Sequence, residues 1–127
     1  MHTSDNMSTV LPHDHGDIDD IDSFRRLLAD NEGFDRVAKL MTQLGDGTRL
    51  RIYWLLLHHE DCVTNISAIM GMSSPAVSHH LRALKDGDLI KSRRVGKEVY
   101  YKAEGASDSE YLHRMIEELM EMTCPQD

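Results

Sequence analysis

The stretch SSPAVSHHLRALKDGDLI, residues 73–90, decides how the rest of the chain is read. Ser73 or Ser74 can cap a helix that Pro75 enters in its first turn, and Gly87 can end it. With Val77 as origin, Leu81 falls at about 40° and Leu84 at about 340°, a narrow apolar stripe that must face a core. On the other side lie Ser78 at about 100°, Arg82 at about 140°, Pro75 at about 160° and His79 at about 200°. His80, at about 300°, leans towards the core and is expected to bond within the fold. The outward face therefore carries hydroxyl, imidazole and guanidinium groups, which bond base edges and phosphates.

The flanking segments extend this reading. CVTNISAIMGM (residues 62–72) predicts a short helix ending near Gly71, joined by a tight turn to the quoted helix. Two helices so joined have the layout of a helix-turn-helix. LIKSRRVGKEVYYKA (residues 89–103) alternates about Val95-Gly96 and predicts two strands in a tight hairpin. Arg93, Arg94 and Lys97 sit at or beside its tip, suited to phosphate contacts.

Upstream, GDGTRLRIYWLLLHHED (residues 45–61) begins with Asp46 and Thr48 as potential caps and is apolar nearly all round, as a central buried helix is. DIDSFRRLLAD (20–30) and GFDRVAKLMTQLG (33–45) predict short amphipathic helices. SDSEYLHRMIEELMEMTCP (107–125) predicts a last helix that Pro125 stops. Residues 1–17 show no apolar periodicity and read as a flexible arm, leaving 18–127 as the folded domain. The fold class expected is mainly α with a small β-hairpin.

The formal net charge is −8, but it is unevenly spread. Residues 1–35 carry net −7 and residues 103–127 net −6, whereas residues 73–102 hold seven bases against three acids. Affinity for DNA depends on local neutralisation of phosphate, so the basic block remains a candidate DNA surface in an acidic chain. The plainer reading is a solvated polar helix face beside a charged hairpin. The agreement of cap, helix pair and basic hairpin favours DNA. No apolar run approaches a membrane span and no signal pattern opens the chain, so a cytoplasmic address is expected.

Two segments, GDGTRLRIYWLLL (45–57) and DCVTNISAIMGMSSPAVSHHLRALKDGDLIKSRRVGKEVYYK (61–102), together resemble the ArsR/SmtB family of bacterial repressors. The resemblance runs from about Phe34 to Tyr101 and continues loosely through the last helix. It implies a homodimeric winged helix-turn-helix whose first and last helices form much of the interface. It also implies a pseudo-palindromic operator, released when an effector binds. A two-fold dimer would hold its reading helices about 34 Å apart, one DNA turn.

Three groups of residues could ligate an effector metal. The arm carries His13 and His15, with Asp14 and Asp17 nearby. Cys62 follows His58, His59, Glu60 and Asp61. On the last helix His113, Glu117, Glu121 and Cys124 share a stripe about 80° wide. Imidazole, thiolate and carboxylate suit Zn²⁺ or Cd²⁺. The resemblance implies metal sites in two places: the start of the cysteine-bearing helix completed by the arm, and the last helix across the dimer. Cys62 matches the family cysteine, but Asn65 stands where a further cysteine or acid is usual nearby. The Asp-x-His that family members carry after the paired tyrosines is absent from KAEGASDSE (102–110), so His113 would have to substitute.

Each group has a plainer reading: Cys62 as a small core residue, the arm histidines as solvated, His113 and Glu117 as a surface pair, Cys124 as an idle thiol. Rival functions also stand. A thiol sensor would use Cys62 and Cys124, if they meet disulfide geometry. A DNA-binding protein without effector would use neither. A hydrolase finds no HExxH or nucleophile-elbow motif here.

Overall fold

The computed structural model describes residues 11–13, 20–104 and 109–122. The chain divides into two units, Met1–Ala38 and Lys39–Asp127. In the first, α1 (Ile21–Leu28) starts at Asp20, whose carboxylate accepts from the backbone N–H of Ser23 at 3.0 Å. Asp30 does the same for Gly33 at the start of α2 (Asn31–Gln43), which runs on into the second unit. Capping carboxylates at these positions satisfy amides that have no partner inside the helix.

The second unit is built on α3 (Gly47–His58). Asp46, not Thr48, is its cap: the carboxylate accepts from the Arg49 N–H at 2.9 Å. A short strand β1 (Asp61–Cys62) leads into α4 (Val63–Met70), which ends on Gly71 at φ 66°, a left-handed conformation that costs glycine nothing. Ser73 caps α5 (Ser74–Asp86), with Pro75 in its first turn. Strands β2 (Lys91–Val95) and β3 (Glu98–Lys102) form the expected hairpin, turning on Gly96 at φ 64°.

Two expectations are corrected. The sheet has three strands, in the order β1-β3-β2 and antiparallel throughout, with Asp61 opposite Tyr101 and Cys62 opposite Tyr100. A two-residue strand is too short to show alternation in sequence. The last helix, α6 (Ser109–Met120), ends before Pro125. Glu121 turns left-handed at φ 54°, and the Met122 N–H closes on the Glu117 carbonyl at 3.1 Å. The helical spacing that aligned Cys124 with His113 does not extend that far, and Cys124 lies outside the described residues.

The core joins Ile52, Tyr53 and Leu56 of α3 to Ile66 of α4 and to Val77, Leu81 and Leu84 of α5. Leu89, Ile90, Ala103, Leu112 and Ile116 complete it, so α3 is the element to which the others are fitted. Among the described residues no helix is long and apolar enough to cross a membrane.

Leu81 is 1 % exposed. Replacing it with alanine is expected to cost about 2–5 kcal/mol, by lost transfer energy and the cavity left behind. Urea unfolding reads this directly. A loss below about 1 kcal/mol would mean the α5 stripe is not packed as described.

Candidate nucleic-acid interface and ligand cluster

The burial of Val77, Leu81 and Leu84 determines what α5 shows to solvent. Ser74, Pro75, His79 and Arg82 are exposed and Ser78 is half-buried. Pro75, Ser78, His79 and Arg82 are the four that the spacing marked as outward, and Ser74 joins them from the first turn. His80 turns the other way, as expected. Its Nδ1 accepts from the Nε–H of Arg49 at 3.3 Å, and Arg49 also donates to the carbonyl and side-chain oxygens of Gln43. Ser74 also meets Ser67 of α4, Oγ to Oγ at 3.3 Å, fixing the turn between the two helices.

The hairpin is tied to both sides of its base. Lys85 of α5 donates from Nζ to Ser92 Oγ at 2.7 Å. On the other strand face, Arg93 grips Glu60 through Nε at 2.7 Å and a second nitrogen at 2.9 Å. That hydrogen-bonded guanidinium holds the Glu60 carboxyl below the usual carboxylate range. Because side chains alternate along a strand, Arg94 shares the Ser92 face rather than the Arg93 face. Arg94 and Lys97 are exposed. The three basic residues near the tip thus divide into one engaged with the protein and two presented outward.

Between α3 and β1 the chain is pinned residue by residue. His59 Nε2 lies 2.8 Å from Asp61 Oδ2, while Asp61 Oδ1 accepts from the Cys62 N–H and from Asn65 Nδ2, both at 2.8 Å. Asp61 is buried, which favours its neutral form. The Cys62 amide, the Asn65 side chain and His59 outweigh that and hold its carboxyl below the usual range. Asn65, which stood where the resemblance led one to look for a ligand, is therefore a partner of Asp61. Cys62 is 7 % exposed and sits at the cap position of α4 without a side-chain capping bond.

Among the described residues, the one set of three groups able to share a metal is His58, His113 and Glu117. Two i, i+4 pairs create it, Trp54 with His58 on α3 and His113 with Glu117 on α6. Glu117 Oε2 lies 3.2 Å from His58 Nε2 and 2.9 Å from His113 Nε2, and it accepts from the Trp54 indole N–H at 3.0 Å. The side chains are 22 %, 27 % and 13 % exposed for His58, His113 and Glu117, so the cluster is sheltered but open to solvent. Two imidazoles and a carboxylate are a donor set that suits zinc.

The structure therefore brings together His113 and Glu117 but joins them to His58, which sequence reading had grouped with Cys62. Periodicity within α3 and within α6 could not reveal this, because it depends on how the two helices are aligned against each other. Cys62 is outside the cluster. His13 is exposed and belongs to the unit ending at Ala38; His15, like Cys124, lies outside the described residues.

This arrangement of a buried helix, a capped outward helix and a three-stranded wing is a winged helix-turn-helix. Residues 46–92 match the arsR family of bacterial regulatory proteins. A Staphylococcus aureus homolog of the cadmium resistance transcriptional regulatory protein CadC is 37 % identical over 100 residues, covering 78 % of each chain. A Synechocystis homolog of the transcriptional repressor SmtB is 44 % identical over 66 residues, 52 % of this chain and 50 % of that one. The chain thus spans about half the length of the second relative. The structure of a homodimeric winged helix-turn-helix DNA-binding domain from Mycobacterium bovis superposes with a TM-score of 0.65 at 33 % identity, covering 73 % of this chain and 87 % of that one. The chain belongs to the arsR family, whose members matched here are transcriptional regulators rather than enzymes.

Burial moves His80 below the ordinary histidine value, the Asp46 charge opposes this, and the Arg49 charge adds to it. The unfolded chain therefore takes up that proton first as pH falls. The stabilisation is complete above about pH 6.5 and is lost progressively below it. Melting curves between pH 8 and 5 should show this loss in the wild type and a shallower one in His80→Gln. Parallel profiles would remove His80 as the cause.

Proposed function

We propose that the chain is a homodimeric transcriptional repressor that binds operator DNA and releases it on binding a divalent transition or heavy metal ion of the zinc, cadmium or lead kind. The observation that carries the DNA half is the division of α5 into a buried apolar stripe and an exposed polar face beside a basic wing tip. On this reading α5 enters the major groove. Arg82 and His79 reach base edges, Ser74, Pro75 and Ser78 lie against the backbone, and Arg94 and Lys97 contact phosphates at the wing. Arg93 serves by holding the wing to Glu60. Residues 1–17 act as an arm appended to the DNA-binding and dimerisation domain, and the protein works in the bacterial cytoplasm, where its DNA is.

Support for the dimer comes from apolar side chains left in solvent. In one unit these are Phe24, Leu27 and Leu28 of α1, and in the other Tyr111, Leu119 and Met120 of α6, the last three 62 %, 76 % and 61 % exposed. Exposed apolar side chains that form a contiguous patch mark interaction surfaces, and Phe24, Leu27 and Leu28 share one side of α1. The Mycobacterium bovis domain is itself homodimeric. Support for the effector comes from the CadC and SmtB relatives and from the contact between His113 and Glu117. The ligands are drawn from His13, His15, Cys62, His113, Glu117 and Cys124. A bound ion would supply a cross-link between the elements that carry its ligands, favouring one dimer geometry over another.

Fluorescence anisotropy with duplexes from the gene's own promoter region tests this. Arg82→Ala is expected to cost about 1–3 kcal/mol and relax specificity at one position, whereas Lys97→Ala should weaken all sequences alike and lower the salt slope by about 1. Adding Zn²⁺ or Cd²⁺ should weaken operator binding about 5- to 150-fold, the usual range of coupling between two sites. Absence of any promoter binding at about 50 mM salt, where phosphate contacts are strong, would end the proposal.

A further inference from the structure

We propose that His58, His113 and Glu117 form a zinc-class metal site contained within one protomer, joining the end of α3 to α6. It differs from both locations that the family resemblance implied, since it uses neither the cysteine nor a second subunit. As the site of an effector it rests on the metal-responsive reading above; as a binding site it stands on geometry alone.

The argument begins with where the donor atoms point. Both histidines direct Nε2, rather than a ring edge, at the same carboxylate oxygen, at 3.2 and 2.9 Å. Ligand atoms about a tetrahedral zinc ion lie about 3.3 Å apart, given metal–ligand distances near 2.0–2.2 Å. The three donor atoms lie within 4.8 Å of one another, so small side-chain rotations bring all three to bonding distance. The rings of His58 and His113 meet edge to face at 4.6 Å, so the two imidazoles are already in contact.

The surroundings fit an exchangeable ion. The Trp54 indole N–H donates to Glu117, an orienting contact of the kind that supports ligating carboxylates. Three protein donors leave a fourth position for water, and the partial exposure of His58 and His113 supplies a way in. The site also grips a sensitive place. His58 is the last residue of α3, and the four residues that follow bind Arg93 of the wing and pair with β3.

Trp54 is the only tryptophan, and its ring lies 4.6 Å from that of His58, so it reports on the site optically. The test uses the full-length, metal-free protein titrated with Zn²⁺ alone. Tryptophan emission is followed, and a chromophoric chelator in competition gives the affinity. The expected result is one emission-linked zinc per chain, with His58→Gln, His113→Gln and Glu117→Gln each weakening it at least 10-fold, since even outer-shell losses cost 10- to 100-fold. Circular dichroism confirms that the variants fold. Trp54→Phe should lose the signal while still binding zinc against the chelator. Unchanged zinc affinity in the three ligand variants, or its loss in Cys62→Ser but not in them, overturns the site. Operator release is measured separately. Zinc bound here without release leaves the site and removes the effector reading; release by zinc that survives the three ligand variants does the reverse.

Discussion

The packing of the α5 stripe against α3 is the constraint from which the rest follows. Val77, Leu81 and Leu84 are all but completely buried, against Ile52, Tyr53 and Leu56 on the facing helix. A helix held by three residues one turn apart has no freedom to roll, so its opposite face is settled as firmly as its buried one. His79 and Arg82 gain their outward aim from this, without any interaction of their own. His80, one residue on, is turned inward for the same reason and finds Arg49.

A second consequence concerns the five residues after Leu57. His58 reaches α6, His59 and Asp61 bind each other, Glu60 holds Arg93, and Cys62 pairs with Tyr100. Between them these residues reach α6, the wing and the start of α4, so the segment is a junction where those elements meet the end of α3. The surface pair between Glu60 and Arg93 is worth little by itself. Its value is positional: it places one strand of the wing relative to the end of α3. Only two residues separate His58, with its contact to α6, from the first strand of the wing sheet.

Much of the fold was legible because each signal was local. Ser73, Pro75 and Gly87 bracket α5, Gly71 ends α4, and the alternation about Val95-Gly96 makes a hairpin; each rests on one residue's own conformational preference. The outward face of α5 followed from periodicity alone. What stayed hidden was non-local. Strand β1 is two residues long and exists only because β3 lies beside it. The end of α6 at Met120 depends on Glu121 turning left-handed, which the strong helix formers around it do not announce. The meeting of His58 with His113 spans 55 positions of sequence and needs the register of two packed helices. Arg93 showed the same limit: its charge was readable, its partner was not.

The net charge of −8 raises the matter of how such a chain holds DNA at all. Charge acts over a Debye length, about 8 Å in physiological salt, so a phosphate at the reading face responds to groups near it rather than to the whole-chain sum. Of the seven bases in residues 73–102, Lys85 is spent on Ser92 and Arg93 on Glu60, and both contacts shape the wing. The other five, Arg82, Lys91, Arg94, Lys97 and Lys102, are all exposed, and the proposed reading sets only Arg82, Arg94 and Lys97 against DNA, a small number. A surface with few phosphate contacts gains little from counterion release, so non-specific binding is weak and base contacts carry a larger share of the total. The acidic flanks push in the same direction by repelling duplex that is not seated. On the proposed reading, an anionic chain with a small basic face is suited to occupying one site and ignoring the rest, as a repressor released by a modest coupling energy requires.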